Sequence, residues 1–173
     1  GLFTWGDTQQ ECYENTIGII DQLGQFVVEH VDKKGASLFG GPRHQALENR
    51  RDLALDIFPF LRGRVSGAQR LIGNFSDLPE VLRFVNSADA ARLAHLGTSC
   101  PDHFIRTKVR PLFVPWQPGA SVEGLRQQID SELKNSREAY ADYYNSLGQP
   151  DSPALRYSNL SVVTVPRAVR LTF

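Results

Sequence analysis

Cys12, Thr16, Ile19, Ile20, Leu23, Phe26 and Val27 follow one another at intervals of three and four residues. A helix with 3.6 residues per turn gathers that spacing into one stripe, whereas a strand would scatter it over both faces. Just upstream, Thr8-Gln9-Gln10-Glu11 has the form of a capping box, and Asp7 places negative charge near the positive end of the helix. The helix is expected to end near Lys33-Lys34-Gly35. A second stripe, Val122, Leu125, Ile129, Leu133, Ala139 and Tyr143, predicts another long helix from Ser121 to Leu147. Each apolar face needs a partner surface, so the chain must build layers.

Between these helices the pattern is more broken. Gly35 to Pro42 reads as a loop carrying Gly35, Gly40, Gly41 and Pro42. A helix is expected from about His44 to Leu61, with Leu47, Leu53, Ile57 and Leu61 partly in phase and Pro59 kinking or ending it. Arg62-Gly63-Arg64 and Ser66-Gly67 break the chain again. Leu71 to Phe75 predicts a short strand, and Ser76-Asp77 a cap for a helix through Val85, with Pro79 in its first turn. Asp89 to Leu96 predicts a further turn or two of helix, closed by Gly97 as a left-handed cap. The polar stretch Thr98 to His103 reads as a loop leading toward a strand at Arg110 to Val114. Pro111, Pro115 and Pro118 restrict that region, and Pro111 favours a sheet edge. After a turn-rich loop from Gly148 to Ser158, strands are expected at Leu160 to Val165 and Val169 to Phe173, separated by Pro166. Helices alternating with short strands predict a layered α/β or α+β domain.

At 173 residues the chain is long enough for one well-buried core. Lys plus Arg (19) equals Asp plus Glu (19), which argues against nucleic acid or an anionic membrane as the main partner. Zero net charge is compatible with self-association into a homo-oligomer. No apolar run approaches the roughly 20 residues needed to span a bilayer, and the start lacks a secretory signal. Cys12 and Cys100 make no disulfide framework, so reduced thiols and a cytoplasmic location are expected. Met is absent throughout, and the abrupt opening at Gly1 predicts a chain cut from something longer.

The densest polar group is Thr98-Ser99-Cys100-Pro101-Asp102-His103, followed by Arg106 and Lys108. Asp102 and His103 are the candidate acid–base residues. Thr98, Ser99, Arg106 and Lys108 would suit a phosphoryl group. The blander alternative is a capped loop in which Asp102 accepts backbone N–H bonds and His103 packs partly buried. Cys100 could be a nucleophile if His103 lowered its pKa, but no cysteine-enzyme motif surrounds it, and a buried structural thiol is favoured. His30, His44, His95 and His103 stand singly, so no metal site is expected from this chain alone. Gly35 to Gly41 fits neither the dinucleotide nor the Walker pattern. Tyr140, Tyr143 and Tyr144 on the last helix suggest core packing or a subunit contact.

At two places these residues resemble a known family. Gly1-Leu2-Phe3-Thr4-Trp5-Gly6-Asp7-Thr8 with Glu11 and Tyr13, and then Gly97 through Lys108, are similar to segments of the bifunctional rhamnulose-1-phosphate aldolase/short-chain dehydrogenases. Asp151-Ser152-Pro153-Ala154 and Val162-Val163-Thr164-Val165-Pro166 continue the likeness in order. The resemblance implies a class II aldolase-like fold, a three-layer α/β/α sandwich around a mixed or antiparallel central sheet. It divides the chain into residues 1–34, the tail of an aldolase domain, 35–67, a linker and helix, and 68–173, an aldolase-like α/β domain, together one compact unit.

For the parent protein the resemblance implies cleavage of a ketose 1-phosphate to dihydroxyacetone phosphate and lactaldehyde, whose aldehyde a dehydrogenase portion then oxidises with NAD. Zinc in such aldolases polarises the carbonyl and stabilises the enediolate. By that resemblance one zinc-binding His of the family would fall just before Gly1, and the Rossmann glycines would lie beyond Phe173. The expected consequences are a chain that holds no cofactor itself, is inactive alone, and has a sugar phosphate and neighbouring aldolase and dehydrogenase domains as partners. A non-catalytic assembly or binding module is the alternative. The chain departs from the family after Val165-Pro166, where Arg167-Ala168-Val169-Arg170-Leu171-Thr172-Phe173 stands in place of an expected Gly-rich turn.

Overall fold

The first long helix, α1 (Gln9–Lys34), begins as its capping box predicts. Thr8 Oγ1 accepts from the Glu11 N–H at 3.1 Å, and Glu11 Oε2 accepts from the Asp7 N–H at 2.8 Å, one residue before the cap. The opening segment lies back along this helix: Asn15 Nδ2 donates to the Trp5 carbonyl (2.9 Å), and the Thr4 and Thr16 hydroxyls meet at 2.6 Å. The stripe, however, is not buried. Ile20, Leu23, Phe26 and Val27 are all about half exposed or more, and the principal contact of α1 is the 3-10 helix Gly35–Gly40 that follows it. This computed structural model describes residues 2–67, 69–117 and 119–173. Expectations resting on Gly1 and Pro118 lie outside the described residues.

Helix α2 (Arg50–Ser66) starts six residues later than its periodicity suggests. The reason is tertiary. The Arg43 and His44 N–H groups donate to the Asn86 carbonyl at 2.9 and 3.0 Å, and the Leu47 N–H donates to the Arg167 carbonyl at 2.8 Å, which holds that stretch out of a helix. Pro59 does not end α2; it lies on the exposed side, where water can satisfy the carbonyl that the missing N–H leaves free. Leu53, Ala54, Ile57, Leu61 and Val65 form its buried stripe.

Beyond α2 come β1 (Asn74–Ser76), α3 (Pro79–Val85), α4 (Ala90–Leu96), α5 (Pro101–Thr107) and β2 (Leu112–Phe113). The strand expected from Leu71 is confined to residues 74–76. Ser76-Asp77 does not cap α3: Leu78 holds that position without a side-chain bond, and Asp77 binds the Nε atoms of Arg50 (3.1 Å) and Arg51 (3.0 Å) instead. The Arg51 hydrogen bond, helped by Arg50, holds the Asp77 carboxyl below its usual range.

Helix α6 (Val122–Leu147) is capped by Ser121, whose Oγ accepts from the Gly124 N–H at 3.0 Å. Leu125, Ile129 and Leu133 are buried, while Ala139 and Tyr143 are exposed, so only its first half covers the core. Arg64 joins α2 to Asp130 of α6 at 2.8 Å.

The last strands, β3 (Val162–Val165) and β4 (Val169–Thr172), complete a four-stranded mixed sheet of order β1-β4-β3-β2. β4 pairs antiparallel with both β1 and β3, and β2 pairs parallel with β3, Leu112 opposite Val163. Pro111 thus precedes an edge strand, as its missing N–H requires. Val163, Val165, Val169 and Leu171 join the buried residues of α2 and α6 in one core. Val85, Ala90 and Ala94 are buried outside that cluster, on α3 and α4, which contact β4 and β2 respectively. The result is a layered α/β fold around a mixed sheet. Among the described residues no helix is long and apolar enough to cross a membrane.

Candidate functional site

The polar stretch 97–108 leaves the body of the protein and returns to it through two residues with positive φ. Gly97 (φ 87°, ψ −161°) caps α4, and a Cβ there would meet the Val109 carbonyl oxygen at 2.4 Å. Next to it the Thr98 N–H donates to that same carbonyl at 3.0 Å, which closes the base of the excursion. Lys108 stands at the other end with φ 69° and ψ 178°, a region that side chains other than glycine seldom adopt.

What lies between is a helix rather than the expected loop. Pro101 occupies the first helical turn, where its fixed φ suits helix and its missing N–H loses nothing. On α5, Asp102, His103 and Arg106 are all exposed, and so is Ser99 just before it. Among the described residues, none of these four side chains makes a hydrogen bond or an ion pair. Asp102 therefore accepts no backbone N–H, and His103 is not partly buried. Cys100 is half-buried at the helix start and makes no capping bond there; it and Cys12 are both free thiols.

Among the described residues, Lys108 is the candidate whose side chain is held in place. Its Nζ donates to the Tyr157 carbonyl at 2.9 Å and to the Tyr140 hydroxyl at 3.4 Å, and lies 4.6 Å from the Tyr140 ring centre. Tyr140 is tilted against Tyr143, and Tyr143 meets Phe104 of α5 edge-on at 6.4 Å. Tyr143 thus gives α6 a ring contact with α5, but none of the three tyrosines belongs to the buried core, so the expected core packing is not found. Beside them Val109, Arg110, Ser136, Ala139 and Tyr140 line a cavity of about 220 Å³. Lys108→Met is expected to destabilise the chain by about 1–2 kcal/mol through loss of the aromatic and carbonyl contacts, read as a lower urea midpoint.

The arrangement brings Thr98 and Lys108 to the base of the excursion and leaves Ser99, Asp102, His103 and Arg106 on its exposed helix. Among the described residues, no group of three or more His, Cys, Asp or Glu side chains could hold a metal ion, so zinc does not fit this donor set. Sequence reasoning passed over the polar contacts of the β3–β4 turn, where Arg167 and Asn86 bond to one another. The only signal in the sequence was the arginine standing where glycine was expected.

Residues 52–173 match the family described as "Aldolase class II, second domain". The chain is also 34% identical over 169 residues to a protein of Bacillus subtilis (strain 168) named as the uncharacterized oxidoreductase YuxG. That alignment covers 96% of this chain and 24% of the relative, so the chain spans about a quarter of the relative's length. No solved structure matches it. With most of its length inside the family's bounds, including most of α2, the whole sheet and α6, the chain belongs to the class II aldolase second-domain family.

Proposed function

We propose that the chain is a segment of a sugar-phosphate aldolase fused to a dehydrogenase, working in the cytoplasm and catalytically incomplete alone. In the parent protein a ketose 1-phosphate would be split to dihydroxyacetone phosphate and lactaldehyde, and the aldehyde oxidised with NAD. The observation that carries this reading is a pairing: an aldolase-family match on a chain similar to a quarter of a much longer protein named as an oxidoreductase. Zinc, which fits no side-chain group among the described residues, would be held by other parts of the parent, and so would NAD. This chain would then contribute scaffold and contacts to the neighbouring domains. A retro-aldol assay on rhamnulose 1-phosphate with added zinc should show no turnover by the 173-residue chain. The full-length protein should turn over and reduce NAD. Robust turnover by the chain alone would contradict incompleteness, and a full-length protein lacking both activities would remove the assignment.

A second reading, as an assembly module, draws on a different observation. The apolar residues of α1 are exposed along the length of the helix, and burying them would release ordered water from a large apolar surface. Sedimentation should then show a homo-oligomer or a complex with a neighbouring domain. A strict monomer with no affinity for those domains would count against it.

A further inference from the structure

Where the chain returns from α5, Val109 and Arg110 meet the second half of α6 across a cavity of about 220 Å³. Its walls are mostly apolar: Val109, Ala139, the buried Leu160 and the rings of Tyr140 and Tyr143. The space exceeds the roughly 150 Å³ of an apolar cavity that takes up benzene, so a body of about four to six carbon atoms fits. Arg110 and Ser136 complete the lining, one just before β2 and the other on α6. A Cβ on Gly97 would lie 3.4 Å from Arg110 Cγ, so the Arg110 stem passes close to that glycine.

Three donor groups at this cavity are unused. Among the described residues, neither the Arg110 guanidinium nor the Ser136 hydroxyl makes a hydrogen bond, and no ion pair involves Arg110. The Tyr140 oxygen accepts from Lys108 Nζ at 3.4 Å, while its own O–H has no acceptor among the described residues. No acidic residue belongs to the lining. The Lys108 ammonium lies 4.6 Å from the centre of the Tyr140 ring and adds positive charge beside the cavity. A mostly apolar pocket with a few polar groups is the usual make-up of a small-molecule site.

The donors favour one kind of anion. A carboxylate presents two oxygens, which a single guanidinium binds side by side. A phosphate, with three oxygens and nearly two charges, calls for a second free cation. Lys108 does not supply it, because two of its three N–H groups already go to the Tyr157 carbonyl and the Tyr140 hydroxyl.

We propose that this cavity binds a small monocarboxylic acid with a short apolar body. Arg110 holds the carboxylate, the Ser136 and Tyr140 hydroxyls donate to it, and the hydrocarbon lies among Val109, Ala139 and Leu160. The site uses none of Ser99, Asp102, His103 and Arg106, so it stands apart from the acid–base candidates on α5.

Calorimetric titration of the 173-residue chain with butyrate tests this. Saturable binding in the low millimolar range is expected. Butanol, which keeps the tail and lacks the charge, and inorganic phosphate, which lacks the tail, should each bind at least about tenfold more weakly. Arg110→Gln should weaken butyrate by about tenfold or more at an unchanged melting temperature, because the side chain is exposed and holds nothing else. Ala139→Leu, at an exposed position of α6, should abolish binding by filling the cavity. Arg70→Gln, at an exposed arginine outside the lining, should bind as the parent chain does. Absence of butyrate heat, equal binding of butanol or phosphate, or full affinity in Arg110→Gln would each overturn the proposal. So would full affinity in a folded Ala139→Leu variant or loss of binding in Arg70→Gln.

Discussion

Gly97→Ala is expected to destabilise the chain by about 3–5 kcal/mol, a large share of the roughly 5–15 kcal/mol that holds a typical domain together. Two effects add. The backbone at Gly97 (φ 87°, ψ −161°) is open to glycine and all but closed to other residues. The new methyl would also sit 2.4 Å from the Val109 carbonyl oxygen, which is backbone and cannot rotate aside. That same oxygen accepts the Thr98 N–H, so any shift that relieves the clash also opens the base of the 97–108 excursion. Urea unfolding should show a much lower midpoint at unchanged slope, with faster proteolysis within residues 98–108. A loss under about 1 kcal/mol would mean that this closure is wrongly described.

Ile57→Ala is the second large effect, at about 3–4 kcal/mol. Ile57 is 0% exposed on α2 and shares one core with Leu125 and Ile129 of α6 and Val163, Val169 and Leu171 of the sheet. Removing its buried methyl groups leaves a void among residues from three directions, and neither a helix pair nor a sheet collapses easily to fill it. The contrast with Ile20→Ala makes the test sharp. Ile20 belongs to an equally good apolar stripe, yet is 49% exposed, so its truncation should change stability by less than about 0.5 kcal/mol. Equal losses at both positions would show that α1 is packed against something in solution.

That contrast also shows how far the sequence could be read. The stripes of α1 and α6 and the cap at Thr8 emerge from spacing and side-chain chemistry within a turn or two, and the structure has both helices and that cap where the residues put them. The start of α2 was less legible, because Asn86 and Arg167, distant in sequence, claim the backbone of residues 43–47. Pro101 was the overlooked sign of α5: a proline in a polar stretch marks the first helical turn as readily as it marks a loop. Among the candidate site residues, adjacency in sequence did not become adjacency of function. Asp102 and His103 are neighbours on a helix, where consecutive side chains point in different directions. Lys108 reaches tyrosines 32 and 49 positions away.

Sequence alone determined the local elements of this protein: two long amphipathic helices, a proline-marked turn before the last strand, and motifs sufficient to recognise a class II aldolase relative. These depend on interactions across three or four residues, and such interactions are written in order along the chain. The tertiary structure alone decided the β1-β4-β3-β2 order and the parallel pairing of β2 with β3. It also decided that the stripe of α2 is buried while that of α1 is not, and that an arginine carries the positive φ of the final turn. Those outcomes rest on contacts between distant segments, where burial of apolar surface and completion of backbone hydrogen bonds outweigh local preference.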